Sequence, residues 1–570
     1  QKKDEPKEAK VNKQEIAAKV LSGKEALAGI LPKLRSANEL SFVLADALTI
    51  ATDDGEQFAL PVSEQLTLLS DADSPTELFS ILGPVFSAEK PKKILYDAKQ
   101  WMHMLSEVGI PLRGLAFDPM IAAYLLHPSR SNYSLADICQ DHGPACAATL
   151  FAVRDEMEQQ LDAQGMKELH DTIELPLITV LFDMEHTGFA LDSTVLKEMG
   201  IRFIGEIEAL SKEIYALAGE EFNILSPKQL GAILFEKLGL PYSKKTKTGY
   251  STDADTLEFL SALHPVAERV LEYRKLTKLK STYIDGLLAA LGQDGRVHTR
   301  FNQTVASTGR ISSAEPNLQN IPVRTPLGRE IRKAFVASPG NLLVGGDYSQ
   351  IELRVLAHMA GDETMAEAFR LGQDIHTRTA AAVFGVPLDQ VTSEQRSAAK
   401  AVNFGIVYGI SDYGLSQNLG ISRKQAGEYI RAYLDRYSKV RDFMQKTMEE
   451  AKKTGYAQTL FGRRRDIPEL KSRNFNTRSF GERAAMNAPI QGTAADIIKL
   501  AMVALDRALK EGGFAAKLVL QIHDELIVDC PTNEVPQVER LLKEVMEGVA
   551  SLSVPLVADV RSGKNWYDTK

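Results

Sequence analysis

The stretch "LVLQIHDELIVDC", residues 518–530, sets two runs of apolar and β-branched residues around His523, Asp524 and Glu525. Such runs pair as the arms of a hairpin, with Asp524 in its two-residue tip. Asp is common in turns for local reasons alone. Glu beside it and His before it make a purely structural turn a poorer account, because charges at the end of a buried strand pair need a compensating partner. Any fold of this chain must bury both arms and bring something to the carboxylates at their end.

At 570 residues the chain exceeds what one core organises, and 44% hydrophobic with 25% charged residues is the makeup of a globular protein, so at least two domains are expected. No apolar run approaches the roughly 20 residues of a membrane span, and the start "QKKDEPKEAKVNKQE" lacks the apolar core of a signal peptide, which points to the cytoplasm and away from membranes. That charged start reads as a frayed end or a cut from a longer chain. Cys139, Cys146 and Cys530 leave one thiol unpaired in any scheme and lack metal-ligand spacing, arguing against a disulfide scaffold or a zinc site. The net charge of −8 argues against indiscriminate polyanion binding, while leaving room for a local basic groove.

Residues 1 to about 170 read as an α/β unit. "SFVLADALTIATDDGEQFALP" alternates as strands joined by the turn "DDG", and "KKILYDAKQWMHMLSEVGIPL" reads as strand then helix. A helical tract follows. In it Arg274, Lys275, Lys278 and Lys280 cover one side of a helix, either a solvated face or a phosphate-contacting one.

"NLLVGGDYSQIELRVLAHMAGD" runs from a strand, with Asp347 at its end, into a helix whose Ile351, Leu353, Val355 and Leu356 pack inward. Alone, Asp347 would be an N-cap. Together with Asp524, from a distant strand end, it could share divalent metals. Between them, "RSAAKAVNFGIVYG" repeats Arg396, Lys400, Phe404 and Tyr408 every four residues, one slowly turning helical stripe with cations first and aromatics after. Such a stripe suits a nucleotide, cations for its phosphates and rings for its base. The aromatics by themselves would also serve as core.

These three stretches, with "TGRISSAEPNLQNIP", "DIHTRTAA", "FGRRRDIPEL" and "ERAAMNAPIQGTAADIIK", resemble the family A DNA polymerases, and within them the Klenow-like large fragments of the Bacillus type. The resemblance covers nearly all of residues 170–570. It implies an α/β (α+β) multidomain fold: an RNase H-like 3′–5′ exonuclease-type domain over residues 1–172, then a right-hand polymerase over 173–570. The thumb would span about 190–295, the palm about 296–358 and 479–570, and the fingers about 359–478.

By that resemblance Asp347, Asp524 and the backbone of Tyr348 would hold two magnesium ions, for which manganese can substitute, roughly 3.5–4 Å apart. Glu525 would support them. Lys400 would meet the triphosphate and protonate pyrophosphate, with Arg396 and His376 on the outer phosphates. Gln350, Phe404 and Tyr408 would line the nucleotide, and Glu352 would exclude a ribose 2′-hydroxyl. Arg310, Arg483, Asn487, Gln491 and His523 would contact DNA. The implied partners are primer-template DNA and deoxynucleoside triphosphates, bound by a monomer associated with the bacterial nucleoid. Gly405 and Gly409 flank the aromatic end of the stripe, so the helix is expected to swing when a matched nucleotide binds.

The first domain departs from the family. Its first motif should read Asp-x-Glu, but "FVLADALTI" offers Asp46 with Leu48 two positions on, or Ala45 and Ala47 in the shifted register. Asp97 matches the second motif. The third, Tyr-x-x-x-Asp, has no match in "ACAATLFAVRDEM"; Tyr133 and Asp137 have that spacing but fall too early, and read as structural. A silent scaffold that packs on the polymerase is expected, with no 5′ nuclease upstream. The rival reading is a noncatalytic DNA-binding protein that keeps the fold.

Overall fold

The computed structural model describes residues 18–62, 74–242, 245–246, 249–322 and 325–570. The charged N-terminus and part of the basic stretch "PYSKKTKTGYST" lie outside them.

Strands Glu39–Leu44, Ala47–Thr52 and Gln57–Pro61 form an antiparallel meander. Lys92–Leu95 and Leu115–Phe117 extend it in parallel on one side, and Lys19–Val20 lies parallel to the last meander strand on the other. Alternation sorts the side chains onto two buried faces. Phe42, Leu48, Ile50 and Phe58 pack with Phe79, Phe86 and Trp101, the Phe42 and Phe86 rings 4.8 Å apart. Val43, Ile94 and Phe117 face Tyr124, Leu150 and Val153. The expected turn at "DDG" is present, and a second one, at Ala45–Asp46, separates the first two strands.

A four-stranded antiparallel sheet centres the second half, ordered Lys517–Ile522, Glu525–Pro531, Asn341–Tyr348, Ala558–Gly563. Glycine is required in its middle. A Cβ on Gly346 would fall 2.7 Å from Met546 Sδ, and one on Gly345 would fall 2.8 Å from Thr569 Cβ, so bare backbone lets helix Val535–Gly548 and the chain end press onto the strand. The 37-residue helix Phe475–Glu511 is long and apolar enough, by length and composition, to cross a membrane. Small residues such as Ala494 and Ala495 raise its hydropathy, and 83% of the apolar window is buried within the protein, which makes it a core helix.

Helices Ser193–Ala218 and Pro265–Lys278 pack on each other over a separate small core of Ile214, Leu234, Leu257 and Val270. Arg274 turns inward to the Thr252 carbonyl, and Lys280 pairs with Asp285 at 2.8 Å; Lys275 and Lys278 stay exposed.

An ionic cluster lies at the seam of the two halves. Glu174, Arg463, Asp496 and Lys499 are all at most 3% exposed. Lys499 Nζ lies 2.6 Å from Glu174, Arg463 pairs with Glu174, and Arg463 Nε donates to Asp496 at 2.8 Å. Burial alone would raise the Glu174 carboxyl, but Lys499 and Arg463 hold it at about 2. Each of the four groups has one of opposite charge beside it, although burial pushes the Asp496 carboxyl up and the Lys499 amine down.

Candidate active site

Asp347 stands directly opposite Glu525 on one neighbouring strand and opposite Asp559 on the other. The hairpin tip is His523–Asp524, as the sequence implies, and the Tyr348 N–H donates to the Asp524 carbonyl at 3.1 Å. Asp347 is not an N-cap. The chain passes through Ser349 and Gln350 before helix Ile351–Ala360 begins, and Gln350 takes the cap position at φ +56°. His523 is also left-handed, at φ +51°. Two non-glycine residues in this costly region thus bracket the carboxylates, a mark of a site the surrounding fold enforces. Arg310, Tyr348, His523 and Asp524 line one cleft.

Asp524 is pushed up to about 6 by burial and by Glu352 and Asp347, with Arg310 and Lys570 opposing. The acidic pair is thus under-compensated, and the donors are hard oxygens, the chemistry magnesium selects. Among the described residues no group of three or more His, Cys, Asp or Glu is arranged to hold a metal, and a cation here would rest on Asp347 and Asp524 with its remaining donors from elsewhere. Glu525 differs. Its Oε1 accepts from Trp566 Nε1 at 3.2 Å, and its Oε2 lies 3.0 Å from Lys570 and 3.8 Å from Arg332, whose guanidinium covers the Trp566 ring at 4.0 Å. Burial still raises its carboxyl, despite Lys570 and Arg332. Lys570 also comes within 3.6 Å of Asp347. None of Arg332, Trp566 and Lys570 was legible as part of the site, since only tertiary folding brings them there.

Helix Ser393–Val407 starts with a capping box, the Thr392 hydroxyl and the Gln395 side chain each taking the other's backbone N–H. Its stripe is real, except that Tyr408 falls one residue past the last turn. Arg396 and Lys400 are exposed, and Phe404 is half-buried. Arg396 Nε sits 2.5 Å from Asp374, and the Phe404 ring centre lies 5.8 Å from that of His376. His376 is buried. Thr379 donates to Asn403 Oδ1, which aims the Asn403 amide N–H at His376 Nδ1 over 3.0 Å and leaves the imidazole proton on Nε2. Burial, with Lys400 and Arg396 nearby, lowers its pKa to about 4. At neutral pH it is an uncharged donor.

Glu352 ties the two halves of the site together. Its carboxylate takes Arg310 Nη2 at 2.8 Å and the Tyr408 hydroxyl at 2.9 Å. Along helix Phe475–Glu511, Arg483, Asn487 and Gln491 recur every four residues. Asn487 Nδ2 donates to the Val407 carbonyl at 3.2 Å, and Arg483 reaches Ser479. Gly409, at φ +65°, lies over the Arg483 stem, where a Cβ would come within 3.1 Å of Cγ. Lys400, eight residues before Tyr408, is about 12 Å up the helix axis, so the cations form the far wall.

Residues 193–568 match the model of DNA polymerase family A. The chain belongs to that family. Residues 57–149 match the ribonuclease H-like domain of DNA polymerase I, so the fold is an RNase H-like domain followed by a family A polymerase domain. Among curated relatives, DNA polymerase I of Bacillus subtilis (strain 168) is 48% identical over 513 residues, covering 85% of this chain and 58% of the relative. That of Geobacillus stearothermophilus is 48% identical, with 85% and 59% covered. The chain thus spans under three fifths of the length of these relatives. A solved structure, the POL domain of Pol1 from M. smegmatis in complex with DNA primer-template and dNTP, superposes with a TM-score of 0.88 at 39% identity, covering 96% of this family A chain and 99% of that one.

Proposed function

We propose that this chain is a DNA-directed DNA polymerase that extends a primer on a DNA template by deoxynucleotidyl transfer, in replication and repair. The single observation that carries the reading is the approach of Asp347 and Glu352 to Asp524, which lines one cleft with Arg310, while Arg310 and Tyr408 both hold Glu352 at the end of a helix presenting Arg396 and Lys400. Phosphoryl transfer needs positioning and charge neutralisation more than a protein nucleophile, and this site provides those. Asp347, Asp524 and the Tyr348 backbone hold the divalent cations, magnesium or manganese. When bound, these supply charge at the primer 3′-hydroxyl and at the pyrophosphate leaving group. Lys400 neutralises the triphosphate and delivers a proton to pyrophosphate. Arg396 holds the outer phosphates, and neutral His376 adds one Nε2–H donor. Phe404 and Tyr408 face the base, Gln350 and Glu352 the sugar, and Glu525 orients its neighbours from inside its cage.

Arg310, Arg483, Asn487, Gln491 and His523 track the duplex. The palm corresponds to about 296–358 and 479–570, the fingers to 359–478, the thumb to 190–295, and residues 1–172 to a nuclease-silent domain. The protein works as a monomer on the bacterial nucleoid. A labelled primer annealed to a longer template, with magnesium and the four deoxynucleoside triphosphates, should be extended to full length; a protein that binds the duplex without extending it is the noncatalytic alternative.

A further inference from the structure

The loop between Gln303 and Arg310 is held by groups that belong to neither the metal pair nor the nucleotide stripe. Tyr124, from the RNase H-like domain, donates its hydroxyl to the Ala306 carbonyl at 2.7 Å. Gln303 Nε2 donates to the Glu174 carboxylate at 2.8 Å and to its backbone carbonyl at 3.0 Å. Gly309, at φ +85°, lies flat on the Arg463 side chain, where a Cβ would fall 2.6 Å from Nε and 3.0 Å from Cζ. No other residue type fits there without moving the buried ion network. The next residue is Arg310, whose guanidinium fixes the Glu352 carboxylate.

We infer that Tyr124 and Arg463 are positioning residues for sugar selection: they set the 303–310 loop, which sets Arg310, which sets Glu352. The inference rests on the polymerase reading above and assigns the silent domain a task in it. The chain of contact is short and stiff. Arg463 is locked between Glu174 and Asp496, and the planar guanidinium is the floor on which Gly309 rests. Tyr124 is 1% exposed, and burial raises its pKa far above the ordinary phenol, so the hydroxyl stays a donor at every working pH. Neither residue lines the cleft that holds Asp524.

The test is a double-mutant cycle on the ratio of kcat/KM for a deoxynucleoside triphosphate to that for the matching ribonucleoside triphosphate. Tyr124→Phe removes one hydroxyl, and Arg463→Lys keeps the charge but removes the planar floor. Each should lower the ratio by roughly three- to tenfold in the wild-type background, the worth of one hydrogen bond or a slackened contact. In an Arg310→Ala background each should change it less than about twofold, because the relay is already cut. Equal effects in both backgrounds, or an unchanged ratio beside a lowered melting temperature, would show a merely structural role and overturn the inference. Tyr124→Phe keeps the test open if Arg463→Lys fails to fold. Deoxynucleotide extension by the wild-type chain separates the two readings: its absence sinks the polymerase assignment, whereas extension with an unmoved ratio sinks only the relay.

Discussion

The Tyr408 hydroxyl donates to Glu352 Oε2 across 2.9 Å, joining the end of the nucleotide stripe to the first turn of the helix that follows Asp347. Arg310 holds the other oxygen, so the carboxylate is fixed at both ends, and on the polymerase reading it could not retreat from an incoming sugar. Glu352→Ala should therefore raise ribonucleotide incorporation relative to deoxyribonucleotide by about 10- to 200-fold, the discrimination a filled pocket exerts on an added group. Tyr408→Phe should move the ratio in the same direction by less, since Arg310 remains. Single-nucleotide kinetics with both substrates decide it; an unmoved ratio in Glu352→Ala removes the residue from this role.

Asp347→Ala and Asp524→Ala should each cut extension by roughly a thousandfold or more while primer-template affinity changes little, because transition-state charge is lost and Arg310, Arg483, Asn487 and Gln491 are untouched. Rapid-quench extension alongside a fluorescence-anisotropy titration separates the two effects. Extension within about tenfold of wild type in either variant would refute the metal assignment.

His376 supplies a pH test. Its folded pKa, about 4, lies below the ordinary value of 6.5, so the unfolded chain takes up the proton first as pH falls. Stability from this residue is fully present above pH 6.5 and is lost progressively between 6.5 and 4, by about 3 kcal/mol at most. Denaturant melts across that window should fall less steeply for His376→Gln than for wild type. In histidine-labelled protein the His376 ring resonance should titrate near pH 4; titration near 6.5 would show that burial does not govern it.

The first domain should not shorten primers. Asp46 is exposed in a tight turn and off the strands, and Asp97, at φ +51°, is the N-cap of helix Ala98–Ser106. The Tyr133 hydroxyl is committed to the His127 carbonyl at 2.6 Å, and Asp137 to Ser134. A 3′-mismatched primer with magnesium and no nucleotides should stay intact, and Asp97→Ala should cost about 1 kcal/mol in stability without altering that result. Stepwise 3′ shortening that disappears in Asp97→Ala would reinstate the nuclease.

Motion of helix Ser393–Val407 can be read with a fluorophore at exposed Ser397. Matched nucleotide should change its signal and mismatched nucleotide should not, as closure on the correct substrate requires. Identical traces would leave the helix static.

Periodicity exposed what is local. The hairpin tip at His523–Asp524, the strand-to-helix passage after Asp347 and the four-residue stripe are all spacings in the chain, and each fixes geometry within a few residues. What stayed hidden is long-range. Trp566, Lys570 and Arg332 cage Glu525 through contacts spanning between 41 and 193 residues of chain, and nothing near 525 announces them. Asp496 and Lys499 did leave a trace: "AADIIKLAM" places two charges three apart in an otherwise apolar helix, a spacing that requires partners once buried. The N-cap alternative for Asp347 failed because three further residues, Tyr348, Ser349 and the left-handed Gln350, intervene before the helix.

The ion network at the seam also sets how far this protein could be trimmed. A chain beginning near residue 190 would discard Glu174, the carboxylate shared by Lys499 and Arg463, and would open to water a face on which Asp496 is the one carboxylate of the network left. Breaking such a pair while it stays buried costs about 3–5 kcal/mol, and water reaching the opened face offsets part of that loss. Minimised versions of the chain should therefore keep it from residue 170 onward, or replace Lys499 by a neutral side chain of similar length.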